Sequence, residues 1–438
     1  MAIKIEDPNL RADLVVKGLK APTSMAFVNE SDILVLEKNG IVQRIIGNSI
    51  LEQPVLNLTS VVNSTRERGL LGIAISDQSP STKDQLQHVD SNVYLYFTQN
   101  IPHDIHNPCV MNNCTGAQVV NSLYAYDMKD MYLVNPRLLL SIPFTNTDIG
   151  LEHIGGKITL GPDQMIYISG GDGYPCRNFQ DCKASINEGA LNSKTANRNS
   201  GVNATGIGGI LALALPQDGQ MDMTGSALGD DFRLSLYYAY GIRNSFGLDF
   251  DPLTGNLWDT ENGPYFGDEI NLVKPGFNSG WAKVQGVWPI TDYYLLVKDL
   301  PVGHFFPKVD TPIDRHSLFD PNGNGKYSSP ELTWNKTVGV TALKFFDSKK
   351  LGEEYKDDLF VGSYSGHIYH FKLSDDRTSL AIDGQLKGYV ASNETQLVDY
   401  IAGEGFGPIT DLQVSPDGYL YILAYEGTLW KITRPGIK

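Results

Sequence analysis

A histidine between an acidic residue and two glycines is the first candidate for chemistry in this chain. His153 follows Glu152 and precedes Gly155 and Gly156, just before a short apolar run with the character of a strand. Histidine titrates near neutral pH, and a neighbouring carboxylate favours the imidazolium that forms when the ring takes up a proton. The segment indicates a general base; the alternative is a loop histidine whose ring nitrogens bond to the backbone.

An arginine within an aromatic stretch is the second candidate. Arg243 and Asn244 lie in the run YAYGIRNSFG, among apolar and aromatic residues. A buried guanidinium needs an anionic or carbonyl partner, because an unpaired buried charge is costly. The pair therefore predicts either a site for a ligand with carbonyl or anionic groups or a structural salt bridge.

A third segment has the spacing of a calcium-binding loop. It fits the pattern D-x-N-x-N-G-x5-E, in which side-chain oxygens, one main-chain carbonyl and a bidentate glutamate surround the ion. Pro330 argues against a regular flanking helix, so we expect an EF-hand-like loop without a switching role. An ordinary Asn/Gly turn is the alternative. The predicted ligands are Asp320, Asn322, Asn324, the carbonyl of Lys326, Ser328 and Glu331.

Paired cysteines and glycosylation sequons both suggest export. Neither cysteine pair has the spacing of a zinc site, so we expect two local disulfides, Cys109–Cys114 and Cys176–Cys182. The density of Asn-x-Ser/Thr sequons, unless it is chance in an Asn-rich chain, predicts a glycoprotein that is extracellular or periplasmic. The sequons begin at Asn29, Asn57, Asn63, Asn113, Asn203, Asn335 and Asn393.

Charge and hydropathy exclude several classes of partner. The formal charge of −15 repels phosphate backbones and anionic lipid, so we expect no nucleic-acid binding. No apolar run is long enough to span a bilayer. The first residues, MAIKIEDPN, lack the apolar core of a signal peptide, which fits a mature chain with an added Met.

The elements that must position these residues are short strands. A phrase of turn, alternating strand, turn and second strand recurs along the chain, as in residues 29–45, 161–173 and 415–432. Irregular repetition of one β-meander is typical of a β-propeller. We expect an all-β, six-bladed propeller that forms a single domain over residues 1–438, with long loops on one face. The inserts are predicted at about 100–120, 174–206 and 282–333.

Four segments, in this order, resemble the glucose/sorbosone dehydrogenase family, the soluble PQQ-dependent quinoproteins that oxidise aldoses. They are ERGLLGIAI (67–75), LEHIGGKITLGPD with GGD (151–172), YGIRNSFG through GPYFGDEIN (240–271), and SPDGYLYIL (415–423). The resemblance covers nearly the whole chain. It implies a small-molecule sugar as substrate, PQQ and Ca²⁺ as cofactors, and an external electron acceptor.

The resemblance also assigns roles to individual residues. It implies that His153 removes the proton of the sugar C1 hydroxyl, that Asp172 supports His153, and that Arg243 and Asn244 contact the quinone carbonyl oxygens. Further positions follow from the same alignment. Glu67, Glu152, Trp334 and Thr337 would border the cofactor, the carbonyls of Gly263 and Pro264 would ligate the calcium beside the quinone, and Glu269 would ligate a second calcium.

The chain departs from the family where the quinone carboxylates are held. The glucose enzymes use one Lys and two Arg there, and this sequence aligns Tyr364, Pro408 and Thr410 with them. Arg68, Lys157 and Arg198 are possible substitutes. Two classes of function therefore compete: a quinone-dependent sugar dehydrogenase, and a non-catalytic propeller that binds a glycan or a protein. A hydrolase of lactonase type is a distant third.

Overall fold

Short alternating strands dominate the chain, as the recurring meander predicts. The computed structural model describes residues 3–76, 92–100, 119–144, 152–173, 206–215, 234–264, 266–281, 285–286, 324–382, 386, 390–391 and 394–436. Their strands form six sheets, numbered I to VI here in chain order. Most neighbouring strands are antiparallel and are joined by tight turns in which Asp, Asn and Gly recur, as at Asn39–Gly40 and Asp417–Gly418.

Sheets I to III come from the first half of the chain, apart from the last three strands of sheet III. Sheet I contains β3 Pro22–Asn29, β4 Asp32–Glu37, β5 Ile41–Ile46, β6 Ser49–Ile50 and β7 Leu56–Asn57. Sheet II contains β8 Leu70–Ser76, β9 Asn92–Asn100, β10 Val119–Lys129 and β11 Tyr132–Phe144. Sheet III contains β12 Ile158–Leu160, β13 Met165–Gly170, β14 Gly209–Ala214, β15 Tyr237–Tyr240, β19 Phe277–Asn278 and β20 Lys326–Tyr327.

Sheets IV to VI come from the second half, except that the two N-terminal strands also join them. Sheet IV contains β16 Ser245–Phe250, β17 Leu257–Glu261, β18 Asp268–Val273, β21 Leu332–Trp334 and β25 Val390–Ala391. Sheet V contains β22 Val340–Phe346, β23 Asp358–Ser363, β24 Ile368–Phe371, β26 Ile401–Glu404 and β1 Lys4–Ile5. Sheet VI contains β27 Ile409–Val414, β28 Leu420–Ala424, β29 Thr428–Thr433 and β2 Arg11–Lys17. The 3-10 turns are Leu234–Leu236, Glu353–Tyr355 and Glu394–Tyr400.

The first strand of each sheet contacts the first strand of the next sheet, so that β3, β8, β12, β16, β22 and β27 follow one another in a closed cycle. Ring closure removes the open edges that a single large sheet would expose. The cycle closes through the N-terminal strands, because β2 pairs with β29 in register Arg11↔Thr433 and β1 pairs with β26. The protein is an all-β propeller.

The hydrophobic core lies between the sheets. One cluster of buried residues occupies each junction between neighbouring sheets, from sheets I and II around to sheets VI and I. Trp258, for example, is fully buried between sheets IV and V and packs edge-on against Phe345. Each strand therefore contributes apolar side chains to two junctions, and the ends of the first strands are left to build a site.

Helices contribute little to this fold. Among the helices of the described residues, none combines the length and the apolar character that crossing a bilayer takes. Several predicted features lie outside the described residues, as do most of the three predicted inserts: the four cysteines Cys109, Cys114, Cys176 and Cys182, the loop residues Asp320 and Asn322, and Arg198.

Candidate functional site

One mouth of the ring holds a cavity of about 550 Å³. Residues from all six sheets line it, most of them next to the first strands. Predicted site residues line one wall of the cavity, Glu67, His153, Arg243 and Asn244, and the residues aligned with the family's cations line the other, Tyr364, Pro408 and Thr410. It is the candidate site, because an enclosed pocket with convergent polar groups is where small ligands bind.

His153 stands in a backbone conformation that few residues adopt. Its φ is +54°, and its N–H donates to Glu67 Oε2 over 2.6 Å. Gly171 makes this turn possible, since a Cβ at that position would lie 2.1 Å from the His153 carbonyl oxygen. The backbone around the GGD motif therefore fixes where the imidazole points.

The imidazole is held at both ring nitrogens. Nδ1 lies 2.7 Å from Asp172 Oδ1, and Nε2 lies 2.8 Å from Arg243 Nη2. A guanidinium only donates hydrogen bonds, so Nε2 must accept, and a carboxylate accepts, so Nδ1 must carry the proton. The network thus selects the neutral tautomer whose unprotonated Nε2 lies beside the cavity.

Asp172 has a second donor that the sequence did not assign. Trp281 donates its indole N–H to Asp172 Oδ2 over 2.7 Å, and the Asp172 backbone N–H donates to the Arg243 carbonyl oxygen over 2.8 Å. Both Asp172 and Trp281 are fully buried. The carboxylate is therefore locked between the imidazole and the indole, which fixes the orientation of the histidine ring.

Arg243 is buried among carbonyls and carboxylates. Its Nη1 donates to the carbonyl oxygens of Asn262 and Gly263 over 2.8 and 3.0 Å, and its guanidinium lies 5.5 Å from the centre of the Trp281 ring. Its Nε is buried and has no hydrogen-bond partner among the described residues. Burial lowers the pKa of Arg243, and the charges of Asp172 and Glu67 oppose that shift.

Glu67 and Glu152 tie the histidine segment to sheet II. Glu67 Oε2 also lies 3.4 Å from Asn244 Nδ2, and Glu152 forms an ion pair of 3.5 Å with Arg66. Asn244 in turn accepts the Gly155 N–H over 3.1 Å. Glu67, His153 and Asn244 therefore come together at the cavity; Glu152 is not among its lining residues but pairs with one of them, Arg66.

Asp268 shapes the loop at Gly263. It accepts backbone N–H bonds from Gly263, Val338 and Gly339 over 2.9, 2.8 and 2.7 Å. Burial raises its pKa, and the bond from Gly263 is the strongest opposing contribution. Gly263 has no room for a side chain, because a Cβ would lie 1.8 Å from the Phe266 carbonyl oxygen. The loop that contains Gly263 and Pro264 is thus defined by packing and by one carboxylate.

A second group of acidic residues lies between sheets III and IV, beyond the cavity wall. Glu261 and Glu269 are opposite each other on β17 and β18, and Ser279 Oγ bonds to both over 2.5 and 3.2 Å. Burial raises the pKa of Glu269 well above its usual value, and the nearby charge of Glu261 raises it further. Burial also raises the pKa of Asp259, on the same face of β17, to about 7.

This group has the donor chemistry of a cation site. Gln285 Nε2 and the Gly286 N–H donate to Glu269 Oε1 over 3.0 and 2.5 Å. The segment 285–286 thus covers one oxygen of the carboxylate, and Ser279 Oγ bonds to the other. In the described part of the chain, no three His, Cys, Asp or Glu side chains are already arranged as metal ligands. A cation held here would therefore draw on serine, amide and carbonyl oxygens as well as on carboxylates.

Two predicted cofactor contacts, Trp334 and Thr337, are not among the described residues that line the cavity. Trp334 is buried in the core between sheets IV and V, with its ring 5.5 Å from Tyr369 and 6.5 Å from Phe371. Thr337 is half-buried and is not part of the cavity wall. Sheet V instead contributes Gly339 and Thr341 to the cavity wall. These residues lie at the start of β22, a few residues after Trp334.

The cavity also contains two cations that sequence reasoning missed, Lys38 and Arg66. Of the substitutes considered from the sequence, Lys157 lines the cavity but forms a buried ion pair with Asp411. Arg68 is buried, and burial lowers its pKa. No local pattern marks Lys38 or Arg66, since they lie in turns of sheets I and II and come together through the packing of these two neighbouring sheets.

The predicted calcium loop is only partly described. Lys326 begins β20 and donates its N–H to the Gly276 carbonyl over 2.9 Å, and the Glu331 N–H donates to the Ile270 carbonyl over 2.8 Å. Burial raises the pKa of Glu331 to about 7, and Lys274 opposes that shift. Asn324, Lys326, Ser328 and Glu331 thus lie along the outer strands of sheets III and IV.

Comparison with known proteins agrees with the fold and the motifs. Quinoprotein glucose dehydrogenase B of Acinetobacter calcoaceticus is 25% identical over 454 aligned positions, which cover 96% of this chain and 86% of that protein. The soluble aldose sugar dehydrogenase of Escherichia coli has the same fold, with a TM-score of 0.66 and 17% identity over 97% of this chain and 99% of the other.

The PQQ-bound aldose sugar dehydrogenase of Streptomyces coelicolor is similar in the same way, with a TM-score of 0.57 and 20% identity over 99% of this chain and 98% of the other. The sequence profile of the glucose/sorbosone dehydrogenase family matches residues 19–293, which include His153, Asp172, Arg243 and Asn244. The match spans more than half of the chain and every residue of the hydrogen-bonded network around His153. The chain therefore belongs to the glucose/sorbosone dehydrogenase family.

Proposed function

We propose that this protein is a quinoprotein that oxidises the C1 hydroxyl of an aldose to a lactone, with PQQ and Ca²⁺ as cofactors and His153 as general base. In this proposal the six sheets are the blades of one six-bladed propeller, a single domain over residues 1–438. The observation that carries the function is the buried chain Asp172–His153–Arg243, which ends at the cavity with an unprotonated imidazole nitrogen.

The residues present fit a quinone on the wall formed by sheets III and IV. Arg243 brings a buried Nε–H that no described residue accepts, next to the amide of Asn244, and both groups suit carbonyl oxygens. When bound, PQQ supplies a two-electron acceptor that takes the hydride from C1 of the sugar. The electrons then leave to an external acceptor.

His153 takes the proton in this proposal. The C1 hydroxyl replaces Arg243 Nη2 as the partner of His153 Nε2, and its proton moves to that nitrogen as the C1–H electron pair leaves. Asp172 then stabilises the imidazolium, because Nδ1–H already donates to it. Arg243 would stabilise the negative charge that develops on the quinone oxygens, once its side chain has turned from the Gly263 carbonyl toward the ligand.

Calcium has two proposed positions near the cavity. The first uses the carbonyls of Gly263 and Pro264, where Arg243 Nη1 now bonds to the Gly263 oxygen and would have to turn toward the ligand. The second uses Glu269, with Glu261 and Ser279 beside it, where a cation would offset two carboxylates that are buried together. The loop from Asp320 to Glu331 remains a third proposed calcium site.

We further propose that the protein is exported to the periplasm or the cell exterior, with disulfides Cys109–Cys114 and Cys176–Cys182 and glycans on some of its sequons. The motivation is the same as in the sequence: paired cysteines and many sequons in one chain.

Reconstitution tests the dehydrogenase. Purified protein is incubated with PQQ and Ca²⁺, and reduction of an electron-accepting dye is followed with a panel of aldoses. We expect dye reduction with at least one aldose, and none when PQQ is omitted or Ca²⁺ is chelated. If the protein binds no PQQ in the presence of Ca²⁺ and oxidises no aldose, the proposal is wrong.

A further inference from the structure

Charge is unevenly distributed around the cavity. Sheets V and VI contribute only uncharged groups to its wall, among them Tyr364, Pro408, Thr410 and Tyr425. Sheets I and II contribute Lys38 and Arg66 together with Glu67. A ligand with several carboxylates therefore meets these cations on sheets I and II, and not on sheets V and VI, where the family alignment indicates them.

The other two cations of the cavity are already engaged. Lys157 is paired with Asp411, which also accepts bonds from Ser24 Oγ and the Met25 N–H over 2.9 and 2.8 Å. Arg243 is buried and bonds to His153, Asn262 and Gly263. Neither can turn to a distant carboxylate without leaving a buried partner unpaired, which is costly.

Arg66 differs from Lys157 and Arg243 in its exposure to solvent. Its side chain is 52% exposed, and its one ion pair is the 3.5 Å contact with Glu152, whose side chain is 19% exposed. Such an exposed pair contributes little, so exchanging Glu152 for a ligand carboxylate has a small cost. A guanidinium can bind that carboxylate through two parallel hydrogen bonds.

Lys38 holds the backbone that presents Arg66. Arg66 has a φ of +59°, and Lys38 Nζ donates to the carbonyl oxygens of Ser64 and Arg66. The two hydrogen bonds connect the segment before β8 to the turn between β4 and β5. They therefore hold the backbone of Arg66 in its left-handed conformation. Lys38 thus acts on the ligand through the position of Arg66 and through its charge.

We propose that Arg66 binds a carboxylate of the quinone, replacing the cations that Tyr364, Pro408 and Thr410 do not supply, and that Lys38 is its positioning residue. The inference rests on the proposed function for the identity of the ligand. The ligand class is a planar aromatic polycarboxylate.

Calorimetric titration tests this with two probes, PQQ with Ca²⁺ and benzene-1,3,5-tricarboxylate, which has carboxylates but no quinone. The proteins are the wild type, Arg66→Gln, Arg66→Lys and a control, Lys349→Gln. Lys349 is 64% exposed and is also ion-paired to a glutamate, but it lies outside the cavity. The control therefore makes the same change in net charge.

We expect Arg66→Gln to weaken PQQ binding by about 10- to 100-fold, the loss of one or two charge-assisted hydrogen bonds. Arg66→Lys should recover part of the loss, and the affinity of Arg66→Gln should depend less on NaCl concentration than that of the wild type. Lys349→Gln should bind like the wild type. Thermal unfolding of the variants checks that the Arg66 turn is intact.

The two probes separate this inference from the proposed function. If the wild type binds PQQ and Arg66→Gln binds it equally well, the role of Arg66 is refuted while the dehydrogenase stands. If the wild type does not bind PQQ, the dehydrogenase is refuted and the tricarboxylate decides about Arg66. Tricarboxylate binding that is lost in Arg66→Gln supports an anion site, whereas binding that is absent from the wild type or unchanged in the variant overturns it.

Discussion

The two walls of the cavity differ in how completely their side chains are fixed. On the wall of sheets III and IV, His153, Asp172 and Arg243 are buried and hydrogen-bonded to one another. On the wall of sheets V and VI, Tyr364 is 65% exposed, and only its backbone is tied to the ring, through a bond of 2.6 Å from its N–H to the Gly339 carbonyl.

The difference separates two tasks. Proton transfer needs atoms held within a fraction of an ångström, and the hydrogen bonds to both ring nitrogens of His153 and to both carboxylate oxygens of Asp172 provide that. Binding a charged ligand needs only charge at the right side of the cavity, which can move from one sheet to another. We infer that the first wall determines whether the chemistry is possible and that the second determines how tightly the ligand is held.

The largest effect should come from the fixed wall, the side of the cavity formed by sheets III and IV. Replacing His153 by Ala removes the proton acceptor and should lower kcat by roughly 10²- to 10⁴-fold. Quinone affinity should stay within a few-fold of the wild type, because the quinone contacts are assigned to other residues. Steady-state kinetics and calorimetric titration measure the two quantities separately. A loss of quinone binding equal to the loss of rate would break the division between the walls.

An intermediate effect should come from the neutral wall, the uncharged side of the cavity formed by sheets V and VI. Replacing Tyr364 by Lys places a cation where the family alignment expects one and should tighten PQQ binding about tenfold, with kcat at saturating quinone nearly unchanged. The exposed tyrosine leaves room for this side chain. Titration of PQQ at fixed Ca²⁺ measures the change, with Tyr364→Gln as the uncharged control. Equal affinity of the Lys and Gln variants would show that this side no longer faces the ligand's carboxylates.

The smallest effect should come from the edge of the fixed wall. Replacing Trp281 by Phe keeps a ring beside Arg243 but removes the N–H that donates to Asp172. The carboxylate then has one fewer constraint, and kcat should fall roughly 3- to 10-fold, as expected for one lost hydrogen bond. Replacing Trp258, which is buried in the core between sheets IV and V, by Phe provides the comparison for general core effects. Similar rates for both variants would deny Trp281 a positioning role.

The sequence predicted the fixed wall better than the neutral one. His153 and Asp172 flank one β-hairpin, and Arg243 and Asn244 immediately precede β16, so short motifs were enough to mark them. The strands were equally readable, because alternating apolar residues and Asp/Gly turns are local signals. The pairing of Asp172 with Trp281 was not, since it joins residues 109 positions apart.

The cations that sheets I and II contribute to the cavity were missed. Lys38 and Arg66 enter the cavity from turns that have no motif, and the family pattern pointed instead to sheets V and VI. Trp334 was aligned with a cofactor contact, but its indole has apolar neighbours on sheet V and packs into the core. Burying a large aromatic side chain in the core stabilises the fold more than leaving it at a solvent-filled cavity. A local sequence alignment does not show which of these two environments the side chain takes.

The way the ring closes has a consequence for synthesis of the protein. Strand β2 leaves the ribosome long before its partner β29, because Arg11 lies opposite Thr433 and nearly all strands of the other five sheets are encoded between them. During elongation, sheet VI cannot form, and β2 must wait as an unpaired strand while the other sheets assemble. Contacts of such sequence separation slow folding, and an unpaired strand is a template for pairing with another chain. We therefore expect the nascent chain to depend on chaperones until its last residues emerge, and the finished ring to need none.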